Sequence, residues 1–80
     1  MKFTRNWHRS QSRGAILQTL AEAPQPLTLR EITSQWGREP NWLMRELMLD
    51  LVKAGYVARR ESVTPQGFLM WLHYLPDRKG

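Results

Sequence analysis

Thr28 to Gly55, TLREITSQWGREPNWLMRELMLDLVKAG, decides how the rest of the chain is arranged. Thr28 and Glu31 stand at the Thr-x-x-Glu spacing of a capping box, in which each side chain serves an amide that the first helical turn leaves unpaired. Leu27 before the cap and Ile32 at the fourth helical position are spaced to form the accompanying hydrophobic staple. Gly37 follows Trp36 and supplies the left-handed conformation that stops a helix. Pro40 suits the first turn of a second helix, where a missing N–H costs nothing. Gly55 closes that helix. The spacing predicts two short helices joined by a tight glycine turn.

The second of these helices, about Pro40 to Ala54, carries most of the information. At 100° per residue, Leu43, Met44, Leu51 and Ala54 fall within about 60° of Leu47, so that stripe is expected to be buried. Asn41, Trp42, Arg45, Leu49, Val52 and Lys53 fall on the opposite side. Three of those six are apolar, more than a solvated or phosphate-facing surface requires. Helix, short turn, helix is also the arrangement that places a helix in a nucleic-acid groove.

Beyond Gly55, Tyr56 to Val63 (YVARRESV) and Phe68 to Leu75 (FLMWLHYL) are rich in β-branched and aromatic residues and read as strands. Thr64-Pro65-Gln66-Gly67 between them has proline and glycine where a hairpin tip wants them. The second strand is apolar on both faces, so one face is expected to cover the helices and the other to need a further partner. Upstream, Ile16, Leu17 and Leu20 mark a first helix capped by Ser10 or Ser12 and ended by Pro24 and Pro26. Leu27 to Leu29 can pair briefly as a strand. Trp36 and Trp71, set in apolar patterns, are expected in or near the core. The chain divides into an N-terminal arm over residues 1–9, a domain over 10–75 and a polar tail over 76–80.

Eighty residues allow one domain. The chain has no cysteine and two histidines, which excludes disulfides and thiolate metal sites and leaves no case for a metal or cofactor. His8 and His73 lie in unrelated segments, with no nucleophile, orienting group and oxyanion donors placed around them, so no enzyme is expected. No apolar run approaches the ~18–20 residues that span a bilayer, and no signal-peptide core follows the basic N-terminus. The expectation is a cytoplasmic protein that does not enter a membrane. Net charge is +5, which favours a polyanionic partner. Lys2, Arg5, Arg9 and Arg13 all precede the first acidic residue, Glu22, so the charge excess sits at the N-terminal end.

Three helices followed by a hairpin, with LTLREI, LMLDLVKAGYVARR and a closing aromatic strand, resemble the winged helix-turn-helix family over roughly residues 10–75. Leu51 to Arg60 is especially similar to the junction of recognition helix and wing in small prokaryotic and phage regulators. The resemblance implies an α+β fold, a three-helix core followed by a C-terminal two-stranded β-hairpin wing. It also implies double-stranded DNA as partner and a role in transcription or replication control. The positions that match the groove-facing residues of such proteins are Arg38, Asn41, Trp42 and Arg45. Arg59, Arg60 and Gln66 occupy the wing, and Arg5, Arg9 and Arg13 are placed to follow phosphates from an arm. Arg45 suits guanine and Asn41 adenine, by bidentate hydrogen bonding; the plainer alternative for both is an ordinary exposed face. Strand alternation sends Arg59 and Arg60 to opposite faces, so one phosphate contact is expected there rather than two. The apolar outward residues Trp42, Leu49 and Val52, with Glu39 and Glu46 beside them, point instead to a homodimer or a protein partner. On that alternative the chain is a winged-helix interaction module, an adaptor, inhibitor or assembly component.

Overall fold

The helix ends are built as local chemistry dictates. In the computed structural model, which describes residues 9–77, Thr28 Oγ1 accepts from the Glu31 amide at 3.1 Å and Glu31 Oε1 accepts from the Thr28 amide at 2.8 Å. This closes the capping box of α2 (Leu29–Gln35). Leu27 and Ile32, the two halves of the staple, are both in the core. Gly37 and Gly55 take φ of 71° and 87°, a region that costs a residue with a Cβ about 1–2 kcal/mol. The helix α3 spans Trp42–Ala54. Asn41 is its cap, its Oδ1 accepting from the Met44 amide at 2.9 Å. Pro40, expected inside the first turn, therefore lies two residues before it, ahead of the cap, because the asparagine offers an acceptor that proline lacks.

The first helix, α1, is helical from Arg9 to Glu22 among the described residues. Neither Ser10 nor Ser12 caps it. Both lie within the helix, and Ser12 is buried. Arg13, grouped in sequence with the basic arm, is held in α1, and Arg9 is already helical. Lys2, Phe3, Arg5 and Trp7, like residues 78–80, fall outside the described part of the chain.

The fold is α+β, with three helices followed by a two-stranded antiparallel hairpin. Strands β1 (Ala58–Val63) and β2 (Leu69–Tyr74) pair from Ala58↔Tyr74 to Val63↔Leu69. The connecting turn is closed three times: the Thr64 amide donates to Phe68 O, the Gly67 amide to Thr64 O, and the Phe68 amide to Thr64 Oγ1. Leu27 pairs with His73 in a single antiparallel bridge, the short pairing that sequence suggested for Leu27 to Leu29. It stops there because Thr28 must turn away to cap α2.

One core joins all of these elements: Ile16 and Leu20 from α1, Leu27 and Ile32 around α2, Met44, Leu47, Met48 and Leu51 from α3, and Val57 ahead of β1. Trp36 packs against it with its Nε1 donating to Thr19 Oγ1 at 3.1 Å, as its apolar setting suggested. Truncating a fully enclosed side chain such as Leu47 should cost about 2–5 kcal/mol. Two positions depart from the helical-wheel expectation. Ala54 is exposed at the last position of α3, where the helix turns out of the fold at Gly55. Met48 is buried although it lies about 100° from Leu47, because the core cluster extends around that flank of α3.

Candidate functional site

The capped start of α3 fixes where its outward side chains lie. Trp42 opens the helix with 67% of its surface exposed. Arg45, one turn on, and Leu49, one turn further, are also exposed. Asn41 is exposed too, but its side-chain oxygen is engaged at the cap, so only its amide nitrogen is left to reach outward. Arg38 is half-buried in the α2–α3 connection, its amide donating to Thr33 O at 2.9 Å. Glu39, from the same connection, takes the guanidinium of Arg30 at 3.0 Å on the surface. Val52, counted from the sequence among the exposed apolar residues, is half-buried and packs on the core. The uncovered arc of α3 is thus narrower than its helical phase alone implied.

The hairpin brings the other residues into place through its register. Arg59 faces His73 and Glu61 faces Trp71, so Arg59 and Trp71 are diagonal neighbours on one face. The Arg59 guanidinium lies 4.2 Å from the Trp71 ring centroid, a cation–π contact of about 0.5–1 kcal/mol at an exposed site. Trp71 is not a core residue as its apolar context suggested: 42% of its surface is exposed. Arg60 is exposed on the opposite face, as alternation required. Gln66 sits exposed in the turn, and beside it the tip is apolar, with Phe68 and Leu69 each 71% exposed and Val63 nearby.

Between α3 and the hairpin runs a groove of about 310 Å³, lined by Thr28, Leu29, Arg45, Met48, Leu49, Arg59, Trp71 and His73. Its floor is apolar and its two walls each carry a guanidinium. His73 is buried in its lining, with Nδ1 3.0 Å from Leu27 O. The carbonyl can only accept, so Nδ1 carries the proton. Burial pushes the His73 pKa below 6.5, the hydrogen bond to Leu27 opposes that, and the nearby Arg59 charge adds to it. His73 is therefore a neutral donor here. The groove brings together Arg45, Leu49 and Arg59 from the residues singled out in sequence and leaves Arg60, Gln66 and Arg13 apart. Sequence reasoning missed His73 and Leu29 as parts of the site. The signal for His73 was present: a lone histidine in an aromatic strand, two residues from Trp71 and so on the same face.

Among the described residues no group of three or more His, Asp or Glu side chains is placed to hold a metal ion, and no helix is long and apolar enough to cross a membrane. The chain matches no family model, no curated protein and no solved structure.

Proposed function

We propose that the chain is a small cytoplasmic winged-helix protein that binds double-stranded DNA as a transcriptional or replication-type regulator. The helix α3 would enter the major groove and the hairpin would act as the wing. One observation carries this: α3 buries Met44, Leu47, Met48 and Leu51 and leaves Trp42 and Arg45 uncovered at its N-terminal end, with Arg45 facing the hairpin across a groove. In helix-turn-helix docking, the residues at the start of the second helix reach base edges. Arg45 is exposed there without a described carboxylate partner, so its guanidinium is available to O6 and N7 of guanine. The net charge of +5 supplies attraction that does not depend on sequence. Selection from a random duplex pool, followed by anisotropy titrations at several salt concentrations, tests the proposal. Enrichment of a motif and a steep salt dependence support it; no motif and no salt-dependent binding reject it.

A second reading has its own support. Trp42, Phe68 and Leu69 are strongly exposed apolar side chains, and apolar surface of that kind usually marks a protein interface. On this reading the fold is an interaction module or a homodimer, and Glu46 on α3 is tolerated because no phosphate approaches it. Light scattering separates the two: association that persists at high salt without DNA favours the second.

A further inference from the structure

The strand β2 has two edges, and β1 fills only one of them. His73 donates its N–H to Leu27 O at 2.7 Å and accepts from the Leu27 N–H at 3.0 Å. At residue 73 the backbone groups therefore point away from β1. In an antiparallel ladder this direction repeats every second residue, which puts the N–H and C=O of Trp71 and Leu69 on the same outer edge. No described backbone group pairs with them there, because Leu27 makes a single bridge before the chain turns into α2. A third strand has been started and left unfinished.

The groove runs beside that unfinished edge. Trp71 and His73 belong to both, and Thr28 and Leu29 mark where Leu27 turns away. Arg45 and Arg59 line the groove from its two walls, and Trp71 holds the Arg59 guanidinium in place. Among the described residues the single ion pair is Arg30–Glu39, so neither groove arginine has a carboxylate within reach. Glu61 shares Arg59's face but lies two residues nearer the tip, opposite Trp71. Two like charges over an apolar floor repel each other, and a bound anion relieves the repulsion.

We infer that the groove and the outer edge of β2 together form a docking site for an extended acidic segment of a partner protein. The segment adds as a strand along Leu69 to Trp71, continues the line begun by Leu27, and sets carboxylates against Arg45 and Arg59. Strand addition draws affinity from main-chain hydrogen bonds and specificity from alternate side chains. The open edge from Gly67 to Trp71 accommodates about five residues, or roughly 16 Å, with acidic side chains on alternate positions facing the groove. A nucleic-acid backbone fits less well, since phosphates only accept hydrogen bonds and leave the carbonyls of Leu69 and Trp71 unserved. The site stands on its own geometry and does not require that the chain bind DNA.

The test is a titration of the isotopically labelled full chain with a capped peptide of about seven residues, alternating glutamate and valine, enough to cover the edge. Binding should protect the Leu69 and Trp71 amides from hydrogen exchange and shift the Trp71 and Arg59 side-chain resonances. Arg45→Gln and Arg59→Gln should each weaken binding about tenfold, the worth of one charge-assisted hydrogen bond. Both side chains are exposed, so the variants should keep the parent's amide spectrum. A peptide with lysine in place of glutamate, or one N-methylated at alternate residues, should not bind. Unprotected Leu69 and Trp71 amides overturn the proposal, and so does equal affinity for the N-methylated peptide. Protection of those amides by a DNA oligonucleotide instead of the peptide would assign the edge to nucleic acid and also overturn it.

Discussion

Replacing Asn41 separates the cap of α3 from the duplex contact proposed for that end of the helix. Its Oδ1 accepts from the Met44 amide at 2.9 Å, while its carbonyl accepts from the Arg45 amide at 3.1 Å. Asn41→Ala removes the side-chain bond alone and should cost about 1 kcal/mol, which for a domain of this size lowers Tm by about 4–8 °C. Asn41→Asp keeps an acceptor in the same place and adds a negative charge at the positive end of α3, worth about 0.3–1 kcal/mol in favour of folding. The melting temperature should hold or rise. Toward a duplex the same charge acts with the opposite sign. At ~8 Å from a phosphate with an effective dielectric of ~20, repulsion is about 2 kcal/mol, and salt at physiological strength brings it near 1 kcal/mol, or roughly fivefold in affinity. Thermal melts followed by circular dichroism and anisotropy with the selected duplex measure both effects. An Asn41→Asp protein that melts no lower than the parent and still binds DNA undiminished would refute the placement of the α3 N-terminus against the duplex. An unchanged melt for Asn41→Ala would refute the cap.

Arg45→Ala should lower specific DNA binding by about 1–3 kcal/mol and relax discrimination at one base pair; equal losses on selected and random duplexes would exclude base reading by Arg45. Deleting residues 1–8 removes Lys2 and Arg5 and should reduce the slope of log affinity against log salt by up to about 1.8. An unchanged slope would mean that these cations do not touch phosphates. Because burial depresses the His73 pKa below 6.5, the unfolded chain binds the proton more readily than the folded one. The corresponding stability is complete above pH 6.5 and is lost as pH falls from there toward the folded-state value. Melts between pH 8 and 5 should show that loss, and His73→Gln should remove the part of the slope that His73 supplies. Gly55→Ala puts a Cβ on a residue with φ of 87° and should cost about 1–2 kcal/mol by denaturant titration.

What could be read in the sequence was whatever local chemistry settles. The Thr28–Glu31 box, the left-handed glycines at 37 and 55 and the Thr64–Gly67 turn each depend on atoms a few residues apart, and each is present as expected. The misreadings arise where distant elements decide. Alternation correctly puts Trp71 and His73 on one face, yet His73 is buried and Trp71 is not, because Leu27 covers only the former. A helical wheel places both Met48 and Val52 outside the buried stripe of α3, yet Met48 is buried and Val52 packs on the core, because neighbouring elements, which a wheel cannot represent, reach that flank. The stacking of Arg59 on Trp71 required the register of the two strands, and no one-strand pattern contains it. For Asn41 the ambiguity was chemical: a residue type that suits adenine is also among the best helix caps.

The hairpin tip bears on how any duplex could be engaged. Wing contacts to phosphates need donors, and the tip offers Gln66 among Val63, Phe68 and Leu69, with no charged residue from Ser62 to Pro76. Its cations, Arg59 and Arg60, lie farther back on opposite faces. Phosphate attraction must therefore come from α3, the base of the hairpin and the N-terminal end of the chain, and the tip must earn its exposure differently. Covering ~100 Å² of apolar surface at the tip would contribute about 2.5 kcal/mol, a gain that does not fall with salt as counterion release does. Whatever meets the tip would thus be bound by a force of another kind from the one that would draw a polyanion to Arg45. A partner that engages both regions should lose affinity with salt only to the level set by the apolar contact, and Phe68→Ser should lower that residual level without changing the steepness of the approach to it.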